Sequence, residues 1–233
     1  MKRLLATALL ASALPAAAGD LPNLSSLSQE QFRGLSEDLG AAFAYKGVTP
    51  ATALGPWGFD LGLELSSTNV KNTDAFRQAG NGVDTLFIPK LHIYKGLWAG
   101  FDIGGFVGGS TDVNGSVLGL DLRYAFVQES ATTPAFAMRL SGTRTDDIGD
   151  LNVRTYGIDL MLSKRLALAT PYVGAGTVRI ESKAGGAGLA EESFTKGRLF
   201  GGLNFNLAVI NLAFEAERLG DNTTLSAKAG WRF

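Results

Sequence analysis

The chain has 233 residues, with 21 Lys+Arg against 22 Asp+Glu, a formal net charge of −1 and no Cys. Near-neutrality without a basic cluster excludes a nucleic-acid partner, and the absence of Cys excludes disulfide staples and thiolate metal sites. Beyond the first residues no run approaches the roughly 18 consecutive apolar residues of a membrane-crossing helix, so a helical membrane protein is excluded too.

Residues 1–18 have the three parts of a secretory signal: Lys2 and Arg3, the apolar run Leu4 to Leu14, and the small residues Ala16, Ala17 and Ala18. That run is too short to cross a bilayer of roughly 30 Å as a helix. The segment is therefore expected to be cleaved near Ala18, leaving Gly19 first. Residues 19–56 form a second region. From Asn23 to Tyr45 the spacing of Phe32, Leu35, Leu39 and Phe43 predicts a helix, with Ser28 and Gln31 placed as a capping box. Gly34 and Gly40 weaken it by about 1 kcal/mol each relative to Ala. Its polar side carries Glu30, Arg33, Glu37 and Asp38, which does not suit a basic membrane-surface helix. Lys46 to Pro56, with Pro50, Gly55 and Pro56, reads as a linker that redirects the chain.

From Trp57 to Phe233 the chain keeps returning to period two, the strand period. Trp57, Phe59, Leu61, Leu63 and Leu65 alternate with Asp60, Gly62 and Glu64. Phe87, Leu91 and Ile93 alternate with Lys90 and His92, and Leu97, Ala99, Phe101, Ile103 and Val107 with Asp102 and Gly104. Leu118 to Phe126 alternate with Asp121 and Arg123, Phe136 to Leu140 with Arg139, and Tyr156 to Leu162 with Asp159. Tyr172, Val178 and Ile180 share a phase with Gly174 and Gly176, opposite Thr177, Arg179 and Glu181. Leu199, Leu203, Phe205 and Leu207 oppose Arg198, Asn204 and Asn206; Leu212, Phe214 and Ala216 oppose Glu215 and Glu217. In the last segment Leu225, Ala227, Ala229, Trp231 and the terminal Phe233 share one phase. This tail resembles the closing strand of bacterial outer-membrane β-barrels. The resemblance implies that Phe233 helps the barrel-assembly machinery recognise the chain, and that lipid and lipopolysaccharide are its surroundings. It singles out no characterised subfamily.

Ten strands place the start of the first and the end of the last on one side, with both termini expected at the periplasm. Links of alternating length support the count. Lys95-Gly96, Glu129 to Thr133, the stretch around Ala167-Leu168, and Ala208-Val209 are short; Asn69 to Gly82, Ser110 to Gly115, Thr145 to Asp150 and Ser182 to Glu192 are longer, with Gly220-Asp221 a tight exception. Aromatics gather near the short links, among them Trp57, Tyr94, Trp98, Phe126, Phe136, Tyr172, Trp231 and Phe233, as at a membrane interface. A soluble sandwich or lipocalin-like barrel also alternates, with its apolar phase inward. Two features favour lipid outside. The apolar phase carries no mid-strand charge, where Lys or Arg costs about 2–4 kcal/mol. The polar phase mixes Gly with charges of both signs: Lys90, Arg123, Arg139, Arg165, Arg179, Lys196, Arg198, Lys228 and Arg232 face Asp60, Glu64, Asp102, Asp121, Asp159, Glu181, Glu215 and Glu217. A lumen of this size is largely filled by side chains, and aqueous porins use 16–18 strands. The helical segment then reads as a cap on the periplasmic rim or a partial plug.

Little in the chain points to chemistry. His92 is the one histidine, expected near the periplasmic end in a polar network; the enzymatic reading pairs it with Asp102 or Glu64 as a base. Gly104-Gly105 and Gly108-Gly109 lack the Lys-Ser/Thr of a phosphate loop and read as room for a bulky lumen residue. Asp146, Asp147 and Asp150 offer carboxylates to Ca²⁺ without EF-hand spacing, and read better as a solvated loop. The expectation is an all-β, closed transmembrane barrel of about ten strands at residues 57–233, preceded by a short helical segment. No catalytic, cofactor or metal residue is assigned. It would be monomeric, with a structural or surface-contact role and a charge-paired lumen; a narrow channel with an N-terminal plug is the alternative, and a lipid-modifying or proteolytic barrel the third reading.

Overall fold

The computed structural model describes residues 19–146 and 148–233; the signal assigned to residues 1–18 lies outside them, as does Asp147. Ten antiparallel strands follow in chain order: β1 (Phe59–Asn69), β2 (Thr85–Gly96), β3 (Phe101–Gly109), β4 (Ser116–Val127), β5 (Ala135–Asp146), β6 (Leu151–Ser163), β7 (Ala169–Ala184), β8 (Glu192–Leu207), β9 (Ile210–Leu219) and β10 (Asn222–Arg232). Each pairs with its sequence neighbours, and β1 pairs with β10, from Asp60↔Arg232 to Thr68↔Thr224, so the sheet closes into a barrel without edges. All ten expected strands are present. Leu97 and Ala99 depart from expectation: they belong to a tight turn in which Ala99 takes φ 57, and β3 begins only at Phe101.

The two phases separate as a membrane requires. Leu63, Leu120, Leu160, Leu199 and Leu225 are between 53% and 62% exposed on the outside, whereas Asp60, Glu64, Lys90, Arg123, Arg139, Asp159, Arg198, Glu217 and Lys228 are buried inside. A soluble barrel would show the reverse. Trp57, Trp98, Trp231 and Phe233 stand exposed near the short links. Tyr94 and Tyr172, expected among these interface aromatics, are instead buried in the lumen.

The phase read for residues 172–181 is inverted. Tyr172, Val178 and Ile180 point inward, while Val173, Ala175 and Thr177 face out, with Arg179 and Glu181 on the same outer flank. Arg165 is likewise exposed, at the β6–β7 turn. Arg165, Arg179 and Glu181 therefore leave the lumen charge set. The cause is the N-terminal segment. Helix α1 (Gln29–Phe43) is sunk into the barrel mouth and demands an apolar wall around it. Its capping box forms as expected: Ser28 Oγ accepts from Gln31 N, and Gln31 accepts from Ser28 N. Phe32, Leu35, Leu39 and Phe43 are fully buried, in a core shared with Val178 and Ile180 of β7, Val153 of β6, Ile88 of β2 and Leu219 of β9. At about 1.5–3 kcal/mol for each large apolar side chain taken from water, those four contribute about 6–12 kcal/mol.

The helix also lies at the opposite rim from the one expected. Gly19 bonds to Asp112 O and Asn114 N in the β3–β4 link. Gln29 bonds to Ala190 and Glu192 around the start of β8. Both sites belong to the long-link side. From Ala44 the chain descends through the lumen, and Pro56 and Gly58 reach Lys95 Nζ at the short-link end of β2. Phe233 ends at that lower rim against Phe59. The residues from Gly19 to the start of α1 and the end of the chain thus sit on opposite sides of the barrel. The β1–β2 link, read as one of the longer links, contains a short helix α2 (Thr73–Gln78) whose Gln78 bonds to Ser26 beside α1.

Candidate functional site

The lumen below α1 is the place where chemistry-bearing side chains converge. The threaded segment supplies its centre. Lys46 is fully buried and donates to Ala41 O (2.7 Å), Ala42 O (3.2 Å) and Ala44 O (3.2 Å), closing the end of α1 where carbonyls lack helical partners. Its ammonium lies 3.5 Å from Glu217 of β9. Tyr45 donates to Asp121 of β4 (2.8 Å), and the Tyr94 hydroxyl of β2 lies 2.9 Å away.

Around this centre the wall charges pair across strands. Asp159 of β6 takes Arg139 of β5 (2.9 Å) and Arg198 of β8 (3.2 Å), and Arg198 continues to Glu217 (2.6 Å) and to the carbonyl of Tyr45. Lower down, Arg123 of β4 pairs with Asp102 of β3 (2.6 Å) and donates to Pro50 O (2.5 Å). Lys228 of β10 pairs with Asp60 of β1 (3.1 Å) across the closing seam. Small residues make space for the large ones. A Cβ on Gly104 would lie 2.2 Å from both Asp121 and the Tyr94 ring, and one on Gly47 would lie 2.3 Å from Arg139. The β3 glycine therefore serves the close packing read for it.

His92 sits in the same interior. Its Nε2 lies 2.5 Å from Glu64 Oε2, and Lys90 Nζ is 2.7 Å from Glu64 Oε1. All three are enclosed, with side-chain exposure of 0%. Of the two acids considered with it, Glu64 is brought to His92, whereas Asp102 is engaged by Arg123 and by Leu54 N. The His92–Glu64 pair is thus held inside the lumen, away from solvent. On the β5–β6 link, Asp146 forms an exposed pair with Arg144 at 3.5 Å, and Asp150 lines a small rim cavity. Among the described residues no group of three His, Asp or Glu side chains could hold a metal ion.

Sequence reasoning missed Lys46 and Tyr45, and it placed Asp38 on the polar side of the helix, whereas the structure buries it fully. Asp38 accepts from Lys71 N (3.0 Å), Asn72 N (2.8 Å) and Asn222 Nδ2 (2.5 Å), locking α1 to the β1–β2 and β9–β10 links. Its place one residue before Leu39, on a helix whose apolar face was already marked, was the signal available.

A closed ladder with a belt of Leu, Ile, Val and Phe outside and paired charges inside defines a transmembrane β-barrel of the outer-membrane type, because only closed barrels and helices satisfy the backbone in lipid. Similar solved structures include three bacterial barrels. The attachment invasion locus protein Ail of Yersinia pestis, in complex with sucrose octasulfate, is 16% identical over 76% of this chain and 98% of its own, with a TM-score of 0.34. The N-terminal barrel domain of Pseudomonas aeruginosa OprF is 11% identical over 75% and 97%, at 0.38. The KdgM porin is 12% identical over 74% and 99%, at 0.37. Scores this low carry no argument about this chain, whose class rests on its own closure and exterior. No protein-family model and no curated protein matches the sequence.

Proposed function

We propose that this barrel is a permanently plugged platform in the outer membrane, holding an ordered surface of loops and N-terminal chain outward for contact rather than conducting solutes. The observation that carries the reading is α1. Its apolar face shares a buried core with five or more strands, and lifting it out would forfeit the about 6–12 kcal/mol estimated from four side chains. A shift of that size leaves an open state populated by far less than one molecule in a thousand. A gating plug is expected to be held by exchangeable polar contacts, and this one is held as a protein core.

The orientation follows from link length, since barrels place short turns at the periplasm and longer loops outside. Residues 19–27 then emerge on the cell surface, bonded to the β3–β4 link and packed beside α2. Export through the signal at residues 1–18 and recognition through Phe233 complete the proposed route. Catalysis is left out of the proposal because His92 and Glu64 are closed off against each other.

Two measurements test the reading. The purified barrel in planar bilayers should give no unitary conductance steps; regular steps from the intact chain would refute the plugged platform. An epitope tag inserted after Asp20 should be cleaved by protease added to intact cells, while a tag after Ala131 in the short β4–β5 link should be protected. The opposite pattern would refute the orientation.

A further inference from the structure

At the short-link mouth the barrel is crossed by extended chain rather than filled by a helix. The crossing strap is pinned at three points: Arg123 of β4 donates to Pro50 O (2.5 Å), Thr52 Oγ1 donates to Glu129 (2.8 Å), and Asp102 of β3 accepts from Leu54 N (3.0 Å). Between strap and wall a cavity of about 200 Å³ remains. At roughly 30 Å³ per water it holds about six or seven waters, or a molecule of about that many heavy atoms. Its wall is the inward phase of three strands, with Thr170 of β7, Asn206 of β8 and Arg232 of β10, and Arg165 in the β6–β7 turn completes it.

The polar groups here are short of partners. Arg165 has no ion pair among the described residues, and no Asp or Glu side chain lines the cavity. The Arg232 side chain is 11% exposed; it donates to Thr49 Oγ1 (3.0 Å) and lies 3.7 Å from Asp60, which Lys228 already holds at 3.1 Å. The other acids at this mouth are engaged, Asp102 by Arg123 (2.6 Å) and Glu129 by Thr52 and by Arg165 N (2.8 Å). Phe233, which also lines the space, turns its backbone oxygen to Phe59 N (2.8 Å). Asn211 donates to Asn206 Oδ1 (2.6 Å), which commits that oxygen and leaves Nδ2 as the free donor. The buried Thr170 hydroxyl has no hydrogen bond among the described residues.

Two guanidiniums, an amide N–H and a hydroxyl therefore line one space that contains no anion. Pro50, Ala53, Leu54 and the Phe233 ring make up most of the remaining lining. Apolar groups cannot replace the hydration of an inorganic ion, but they suit a short hydrocarbon body. A planar carboxylate matches the guanidinium fork, and a strap already pinned needs little further ordering on binding. We propose that this cavity binds a short organic carboxylate, held by Arg165 and Arg232 with Asn206 and Thr170 as neutral donors. On the proposed orientation it opens to the periplasm and takes a solute from that side; the recognition itself does not depend on the orientation.

The test is equilibrium dialysis of labelled succinate against the full barrel purified in zwitterionic detergent. Binding should saturate at one site per chain. Succinamide, of nearly the same size without the charge, should compete at least tenfold less well than unlabelled succinate, and so should inorganic phosphate. Arg165→Gln, whose side chain has no ion pair to lose, should weaken binding at least tenfold, and Thr170→Val at least threefold. Arg179→Gln, at the opposite rim, should leave it unchanged. Absence of saturable binding up to about 10 mM, unchanged affinity in Arg165→Gln, or equal competition by succinamide overturns the proposal. Equal competition by phosphate overturns the organic ligand in favour of a general anion site. Should Arg165→Gln lose its heat-modifiable folded band, Thr170→Val decides alone, and unchanged affinity there overturns the proposal. Binding is read in detergent solution, so a failed plug or a failed orientation is told apart from a failed carboxylate site.

Discussion

Replacing Gly40 by alanine asks directly whether α1 lies against the inner wall. Gly40 faces Ile180 of β7, and a Cβ there would sit 2.6 Å from both Ile180 Cδ1 and Cγ2. Comfortable carbon contacts need about 3.5–4.0 Å, so the methyl is about 1 Å too close. In a helix resting loosely at a rim, Gly40→Ala would stabilise by about 1 kcal/mol through propensity. Against a packed wall it overfills the space and costs about 1–3 kcal/mol. The sign of the change therefore reports the position of the helix. Ile180→Ala alone should cost about 2–5 kcal/mol through the cavity it leaves. Combined, the new methyl at position 40 enters that cavity, and the double variant should cost at least about 1 kcal/mol less than the two singles added together. Urea unfolding from lipid vesicles, followed by the fluorescence of Trp57, Trp98 and Trp231, supplies the four midpoints. A stabilised Gly40→Ala, or additivity within about 0.5 kcal/mol, refutes the placement of α1 in the mouth.

Three further predictions address the interior and the tail. Lys46→Met leaves the carbonyls of Ala41, Ala42 and Ala44 without their buried donor and should cost about 1–3 kcal/mol; an unchanged unfolding midpoint would dismiss the assignment. Asp159→Ala strips the shared partner of Arg139 and Arg198 and should cost about 3–5 kcal/mol, whereas Arg179→Gln, in an exposed pair, should cost under about 1 kcal/mol; equal shifts in unfolding midpoint would contradict the buried network. Phe233→Ala should lower the amount of barrel inserted in cells while leaving refolding into vesicles unchanged. Equal yields in cells would remove the terminal ring from assembly.

The barrel was legible because a lipid-facing strand leaves its period in the residues one by one. Leu61, Leu63 and Leu65, or Leu118, Leu120 and Leu122, need no tertiary context to be read. What misled was the assumption that the phase opposite lipid is polar. That holds for the lower lumen, where Asp60, Arg123 and Lys228 lie, and fails beside α1, where Val178 and Ile180 of β7 face a helix rather than water. In that strand the bulkier phase is the inner one, and Arg179 and Glu181 escape to the headgroup flank. The helix and its cap were readable from Ser28, Gln31 and Phe32 to Phe43. Its location was not, because helical periodicity records that one face is buried and says nothing of what buries it. The inner site was half legible for the same reason: the wall charges stand on strands with a clear period, whereas Tyr45 and Lys46 stand in a stretch that reads as linker until the chain is seen to pass through the middle.

The route of residues 19–58 also constrains how the molecule comes together. A strip of chain that enters at one mouth and leaves at the other cannot easily be inserted into a finished cylinder, because Tyr45 and Pro50 would have to slide past Arg198 and Arg123, which bond to their carbonyls. The simplest history is that the sheet wraps around the strip and shuts last at the β1–β10 seam, where Ser66 meets Ser226 and Thr68 meets Thr224 through their hydroxyls. Pairing of β1 with β10 would then both finish the barrel and enclose the strip.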